Sequence, residues 1–321
     1  MNNKEHPWIP SREVSLCPWE SYNVRGDYTN PHAALQPNIY RYSQRQMDAY
    51  MKMLVQMGYT GVQFIDSCYS WHLYGSAEAF HEVLIRMMLS ARNAGLKTTL
   101  WVWAAFFSGH AWCDPEMIYT PSEGNTAFSD PAVRACFEKY YNLYAELAPY
   151  TDMLIGHYFD PGMLTSNDDI IAYFKLLAEK FRAVNPNVKL CVDTWGCPDG
   201  YPEALAASDL GQCLILEQPS PSAWPGDSRA RFRRRLRENG FQVGMWGWYT
   251  CEYETDQMAA MYVNGHVLKD RYLAIRAEGD AILKPVYWSE MDAGHLYNLF
   301  SLYAAGQLLI DPERDPDELL W

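Results

Sequence analysis

The chain reads as a single (β/α)8 barrel. Eight short apolar or β-branched runs alternate with longer segments of helical period at near-regular spacing. No glycine-rich phosphate loop follows the first run, where a doubly wound sheet would carry one. The length agrees: 321 residues suit one barrel, which takes about 250 residues plus insertions. No second domain or low-complexity segment is visible, so residues 1–321 are expected to form one unit, with a C-terminal tail from about 311.

Taken in order, Val14 to Cys17 is the first strand. A helix from Ser43 to Met57 follows, with Met47, Tyr50, Met51, Leu54 and Met57 three or four apart and Gly58 at its stop. That methionine stripe is a core face. Gly61 to Asp66 is strand two, Ala77 to Ala94 the next helix, and Lys97 to Trp103 strand three. The loop from Ala104 to Ser129 is rich in Phe, Trp, Gly and Pro, and loops of that length are uncommon unless functional. Asp130 caps and Pro131 opens a helix running to about Ala148.

Met153, Leu154 and Ile155 begin strand four, which runs into His157, Tyr158 and Asp160 and stops at Pro161 and Gly162. Ser166 caps the helix after it, which ends before Asn185 and Pro186. Strand five spans Val188 to Thr194 and is followed by a short helix from Pro202 to Ala207. Strand six is Cys213 to Glu217, with a helix from Asp227 to Asn239. Strand seven is Gln242 to Trp248, with a helix from about Thr255 to Leu283. Lys284 to Glu290 is strand eight, and Ala293 to Leu309 closes the ring.

Composition excludes several partners. A net charge of −13 argues against nucleic acid, which demands clustered positive charge. The basic run from Arg229 to Arg237 reads as a solvated helix face with Phe232 and Leu236 turned inward. No apolar run is long enough to span a bilayer, so no membrane is expected. The N-terminus lacks a secretory apolar core, which suits a cytoplasmic protein or one secreted with its signal removed. None of the eight cysteines forms a C-x-x-C pair; Cys17, Cys191 and Cys213 lie in apolar runs as small hydrophobes. No cofactor is implied. Oligomeric state is open, a homodimer included.

The residues at the strand ends carry the functional signal, because a barrel's strand ends converge on one rim. They include Trp19, Glu20, Asp66, Trp101, Trp103, His157, Tyr158, Asp160, Asp193 and Trp195. From later strands come Glu217, Trp246, Trp248, Tyr249, Glu252, Trp288, Glu290 and Asp292. Nearly every strand delivers a carboxylate or an indole, and almost no Lys or Arg intrudes. Aromatic faces stack on sugar C–H faces while carboxylates accept hydrogen bonds from hydroxyls, so a carbohydrate is the expected ligand. Trp19, Asp66, Trp103, His157, Tyr158, Trp195, Trp248, Tyr249, Trp288 and Glu290 are the expected sugar-binding set. Trp101 and Trp246 are expected to fill the barrel top.

Such a rim also supplies the two carboxylates of glycoside hydrolysis. Asp160 is the first choice for general acid/base, since Phe159 and Pro161 flank and desolvate it. Its partner is left open among Glu217, Glu252 and Asp193. A separation of about 5 Å would mean retention of anomeric configuration and about 6.5–9.5 Å inversion. His157 either orients the carboxylate, binds a hydroxyl, or is an ordinary histidine of the rim. His72, His81, His110, His157 and His295 are available for a metal, but no His-x-His or His-Glu-x-x-His spacing occurs, so none is expected. A metal-dependent sugar isomerase or epimerase, and a barrel that binds carbohydrate without catalysis, are the alternatives.

The run from Tyr287 to Phe300 and the segment from Leu308 to Leu320, with its Asp311-Pro-Glu-Arg-Asp-Pro-Asp317 core, resemble the barrel's end in glycoside hydrolases related to β-N-acetylhexosaminidases and α-glucuronidases. The Phe-Asp-Pro-Gly at 159–162 is similar to strand-four ends of that group. The resemblance implies an acid/base role for Asp160. Hexosaminidases that use the substrate's acetamido group carry two adjacent acids there, whereas Pro161 follows Asp160 here, which speaks against that route. Relatives often add a domain before the barrel, so a minimal version or an excised domain is implied.

Overall fold

A computed structural model describes residues 7–16, 42–66, 76–103, 122–124, 128–157, 166–194, 197–210, 213–217, 228–247, 265–292 and 299–319. Eight parallel strands close into a ring in chain order. They are β1 (Ser11–Leu16), β2 (Gly61–Asp66), β3 (Lys97–Trp103), β4 (Met153–His157), β5 (Lys189–Asp193), β6 (Leu214–Glu217), β7 (Gln242–Gly247) and β8 (Tyr287–Asp292). Closure is made by β1 against β8, where Ser11 faces Tyr287 and Leu16 faces Asp292.

Around this ring lie α1 (Gln44–Gln56), α2 (Ala77–Asn93), α3 (Pro131–Ala145), α4 (Asn167–Val184), α5 (Tyr201–Ala207), α6 (Ser228–Glu238), α7 (Gly265–Ala281), α8 (Leu299–Ile310) and α9 (Pro316–Leu319). Ser43 and Gln46 form a reciprocal capping box at the start of α1, satisfying amides that a helix start otherwise leaves orphaned. Asp130 accepts from the amides of Ala132 and Val133 at α3. Gly58, beyond α1, has φ +101°, a left-handed turn that favours glycine. The Nε of Arg12 donates to its carbonyl at 2.7 Å, tying β1 to the end of α1.

Strand side chains alternate between two layers, as the period of two demands. Ile65, Trp101, Met153, Ile155, Cys191, Leu216, Trp246 and Tyr287 fill the inside of the barrel. Their sequence neighbours, such as Phe64, Leu100, Leu154, Val192, Ile215 and Met245, face outward and pack with the helices in a second, larger core. The methionine stripe of α1 belongs to that layer, with Met47, Met51 and Leu54 fully buried. No helix among the described residues is long and apolar enough to cross a membrane.

The structure moves some element boundaries. β1 begins at Ser11 rather than Val14, because Arg12 and Glu13 find buried partners that a hydrophobicity reading does not foresee. β8 begins at Tyr287, past Pro285, and carries through to Asp292. The helix expected to reach Ala148 ends at Ala145, and a separate 3-10 turn spans Ala148–Tyr150. The segment beyond 311 is docked: Leu319 is buried, and Pro316 lies where a side chain on Gly265 would have to go.

Candidate active site at the strand ends

His157 and Asp193 are the last residues of the adjacent strands β4 and β5. Both share the inward parity of Ile155 and Cys191. The two side chains meet directly, the imidazole Nδ1 against the carboxylate Oδ2. They do so out of water, with His157 2% and Asp193 3% exposed.

Two indoles hold the imidazole edge-on. Trp101 lies 5.4 Å from it at 86° and Trp246 5.9 Å at 70°, ring centre to ring centre. The indoles meet each other at 4.1 Å and 88°. Both are buried, as expected of side chains that fill the barrel top. Behind β4 the Tyr173 hydroxyl donates to the His157 carbonyl at 3.2 Å. Burial pushes that phenol well above its ordinary range, so it stays a donor. Gly156 allows this packing, since a Cβ there would lie 2.7 Å from Phe174. The end of β5 is pinned by Thr194, whose amide and hydroxyl both donate to the Leu216 carbonyl at 3.1 Å.

Three residues expected at the rim face the other way. Glu217 ends β6 one place after the inward Leu216, so its side chain points to the helix layer. There it accepts from Nε of Arg233 on α6 at 2.5 Å, and Arg233 also contacts Glu278 on α7. Glu290 likewise faces outward, accepting from Tyr272 at 2.5 Å and from the Trp288 indole at 2.7 Å. Trp288 packs against Trp8 and Tyr272 and is fully buried. Strand parity thus places Trp288, Glu290 and Glu217, all expected at the rim, on the helix side of the sheet. Taking the last residues of each strand without regard to alternation gathered both faces together.

Asp66 and Trp103 are placed as the last residues of β2 and β3. Trp19, Tyr158, Asp160, Trp195, Trp248, Tyr249 and Glu252 lie outside the described residues. Two residues that sequence reasoning passed over belong to the account. Arg233 sits in the basic run, where Phe232 and Leu236 are buried as expected but Arg233 is buried too. Glu13 lies inside the barrel, where its carboxylate accepts from the Tyr287 hydroxyl at 2.8 Å. Burial raises its carboxyl to about 7. The signal for it was a charged residue in a strand.

Among the described residues one trio has metal-ligand spacing: His266, Asp315 and Asp317, all exposed on the outer surface. His266 already pairs with Asp317 at 3.0 Å, and Asp315 accepts from the Asp317 amide at 3.0 Å.

No protein-family model matches the chain, and no curated protein does. Solved structures do match. An exo-β-1,4-mannosidase from Opitutaceae bacterium strain TAV5 aligns with TM-score 0.61 at 12% identity, over 94% of this chain and 59% of that one. This chain therefore spans about three-fifths of that enzyme. A glycoside hydrolase family 5 enzyme from Prevotella bryantii B14 aligns with TM-score 0.58 at 14% identity, over 93% and 95%. A family 5 structure from Bifidobacterium longum, bound to Manβ1-4GlcNAc, gives TM-score 0.52 at 15% identity over 93% and 77%. At such identities the likeness is one of fold: the barrel is of the kind these glycoside hydrolases share.

Proposed function

We propose that the chain is a glycoside hydrolase in which Asp160 is the general acid/base and Glu252 its partner carboxylate. One observation narrows the pair: of the three partner candidates, Glu217 is committed to Arg233 and Asp193 to His157. Glu252 is the candidate that remains. It follows the end of β7 at Gly247, as Asp160 follows the end of β4 at His157. In a ring of eight, β4 and β7 are three strands apart. Hydrolysis needs two carboxyls, one protonating the leaving oxygen and the other attacking carbon or activating water from the opposite side.

The fold shared with enzymes acting on mannosides and other glycans supports a carbohydrate as ligand. Pro161, directly after Asp160, favours a carboxylate pair over help from a substrate acetamido group. Hydrolysis of a panel of aryl glycosides by the wild type, Asp160→Asn and Glu252→Gln tests the reading. Expected is turnover of at least one glycoside and its loss in both variants. Full turnover by Asp160→Asn would remove that residue from the mechanism.

A further inference from the structure

A buried carboxylate against a buried imidazole is either a reagent or a support, and the surroundings of Asp193 favour support. A reagent carboxylate must reach the anomeric carbon or a water beside it. The Oδ2 of Asp193 instead meets Nδ1 of His157. Everything around the ring resists reorientation. Trp101 and Trp246 stand edge-on to it, and its backbone carbonyl is held by Tyr173. The carboxylate is fixed as well, since the next residue, Thr194, is bonded twice to the end of β6.

We propose that Asp193 is a positioning residue that acts through His157. By accepting the Nδ1 proton it sets the tautomer and plane of the ring, so that Nε2 of the neutral imidazole serves as an acceptor for a hydroxyl of the bound sugar. A carboxylate behind an imidazole fixes the tautomer and raises the basicity of the opposite nitrogen. The ring that orders the hydroxyl lies three residues before Asp160 in the sequence. That the ligand is a sugar rests on the glycosidase reading; the tautomer does not.

Two measurements on the full chain test this. The first is imidazole 15N NMR of histidine-labelled wild type and Asp193→Asn, with His157 assigned through its contacts to the Trp101 and Trp246 rings. A proton on Nδ1 in the wild type, displaced in Asp193→Asn, is expected. A wild-type ring protonated only on Nε2, or an identical tautomer in both proteins, overturns the proposal, and the first of these outcomes needs no variant to fold.

The second is hydrolysis of the best aryl glycoside of the panel by Asp193→Asn and Asp193→Ala, with and without azide. Loss of supporting partners of this type costs about 10–100-fold, and a loss of that size in kcat, with a smaller change in KM and no effect of azide, is expected. Restoration of Asp193→Ala by azide, with a glycosyl azide as product, would make Asp193 a reagent and overturn the proposal. Unchanged kcat and KM in both variants would make the pair merely structural and overturn it equally. If the wild type cleaves no glycoside, the glycosidase reading falls and the NMR result alone decides the role of Asp193.

Discussion

Arg233 reaches Glu217 from outside the barrel, its Nε 2.5 Å from Oε2, with both side chains shut off from water. Burial alone would lower the Arg233 guanidinium, but Glu217 and Glu278 beside it raise it above its ordinary value. The pair joins β6 to α6 and, through Glu278, to α7. Removing one partner of such a pair strands a buried charge, at a cost of about 3–5 kcal/mol. Arg233→Met is therefore expected to lower the unfolding free energy by that order, read as a fall in the denaturant midpoint at unchanged slope.

A sharper contrast comes from Glu217→Gln. A carboxylate engaged on the helix side of the sheet leaves the chemistry intact when it becomes an amide, so kcat should stay within a few-fold of wild type while stability falls. A loss of activity comparable with that of Asp160→Asn, in a variant still folded by circular dichroism, would return Glu217 to the reacting pair.

Glu13 makes stability depend on pH. Its carboxyl sits at about 7 in the folded chain against 4.5 as the ordinary value, through burial first, with the Tyr287 hydrogen bond opposing in part. A raised carboxyl binds its proton more tightly when folded, so its favourable contribution is complete below pH 4.5 and is lost as pH rises through about 7. A shift of that size corresponds to about 3 kcal/mol. Glu13→Gln keeps an acceptor for Tyr287 and removes the titration. Urea denaturation should find the variant about equal to wild type at pH 4 and more stable by about 3 kcal/mol at pH 8. Equal stability at both pH values would show that Glu13 does not titrate this way.

Much of the barrel was legible because the signals are local. Gly61 to Asp66 and Lys97 to Trp103 were readable to the residue, since each β-branched and apolar run there follows closely on a helix stopped by glycine, Gly58 or Gly95. The caps at Asp130 and Ser166 were readable because Asp-Pro and Ser before a helical run are local signals, whereas the capping box at Ser43 was not read. Parity at the strand ends was not. Whether the last residue of a strand faces the axis depends on register around the ring, which a one-dimensional reading does not carry. Asp193 and Glu217 end consecutive strands with the same residue chemistry, yet one faces inward to His157 and the other outward to Arg233. Nor does sequence show that Arg233, alone among the described arginines of one run, is turned into the protein.

Gly247 offers a steric test of how tightly the end of β7 is held. A Cβ on it would lie 2.5 Å from Oε1 of Glu290 and 2.7 Å from the Trp288 indole nitrogen. Neither can withdraw easily, because Tyr272 and Trp288 both bond that carboxylate oxygen. Gly247→Ala is expected to cost about 1–3 kcal/mol, the usual range for overpacking. Since β7 leads toward Glu252, kcat should fall as well. Thermal melting and aryl glycoside kinetics on the same preparation check both; an unchanged melting temperature would mean that the network yields.

The assignment of acid and partner can be separated by leaving group and pH. If Asp160 protonates the departing oxygen, its removal matters most when that oxygen is basic. Asp160→Asn should therefore lose about 10²–10⁴-fold on an alkyl or phenyl glycoside, and far less on a dinitrophenyl glycoside, whose departure needs no proton. The alkaline limb of the kcat/KM profile, set by the acid's deprotonation, should disappear with it. Glu252→Gln should behave oppositely, losing activity whatever the leaving group and dropping the acidic limb. Equal losses for Asp160→Asn across leaving groups, with both limbs retained, would mean that this carboxylate is not the proton donor.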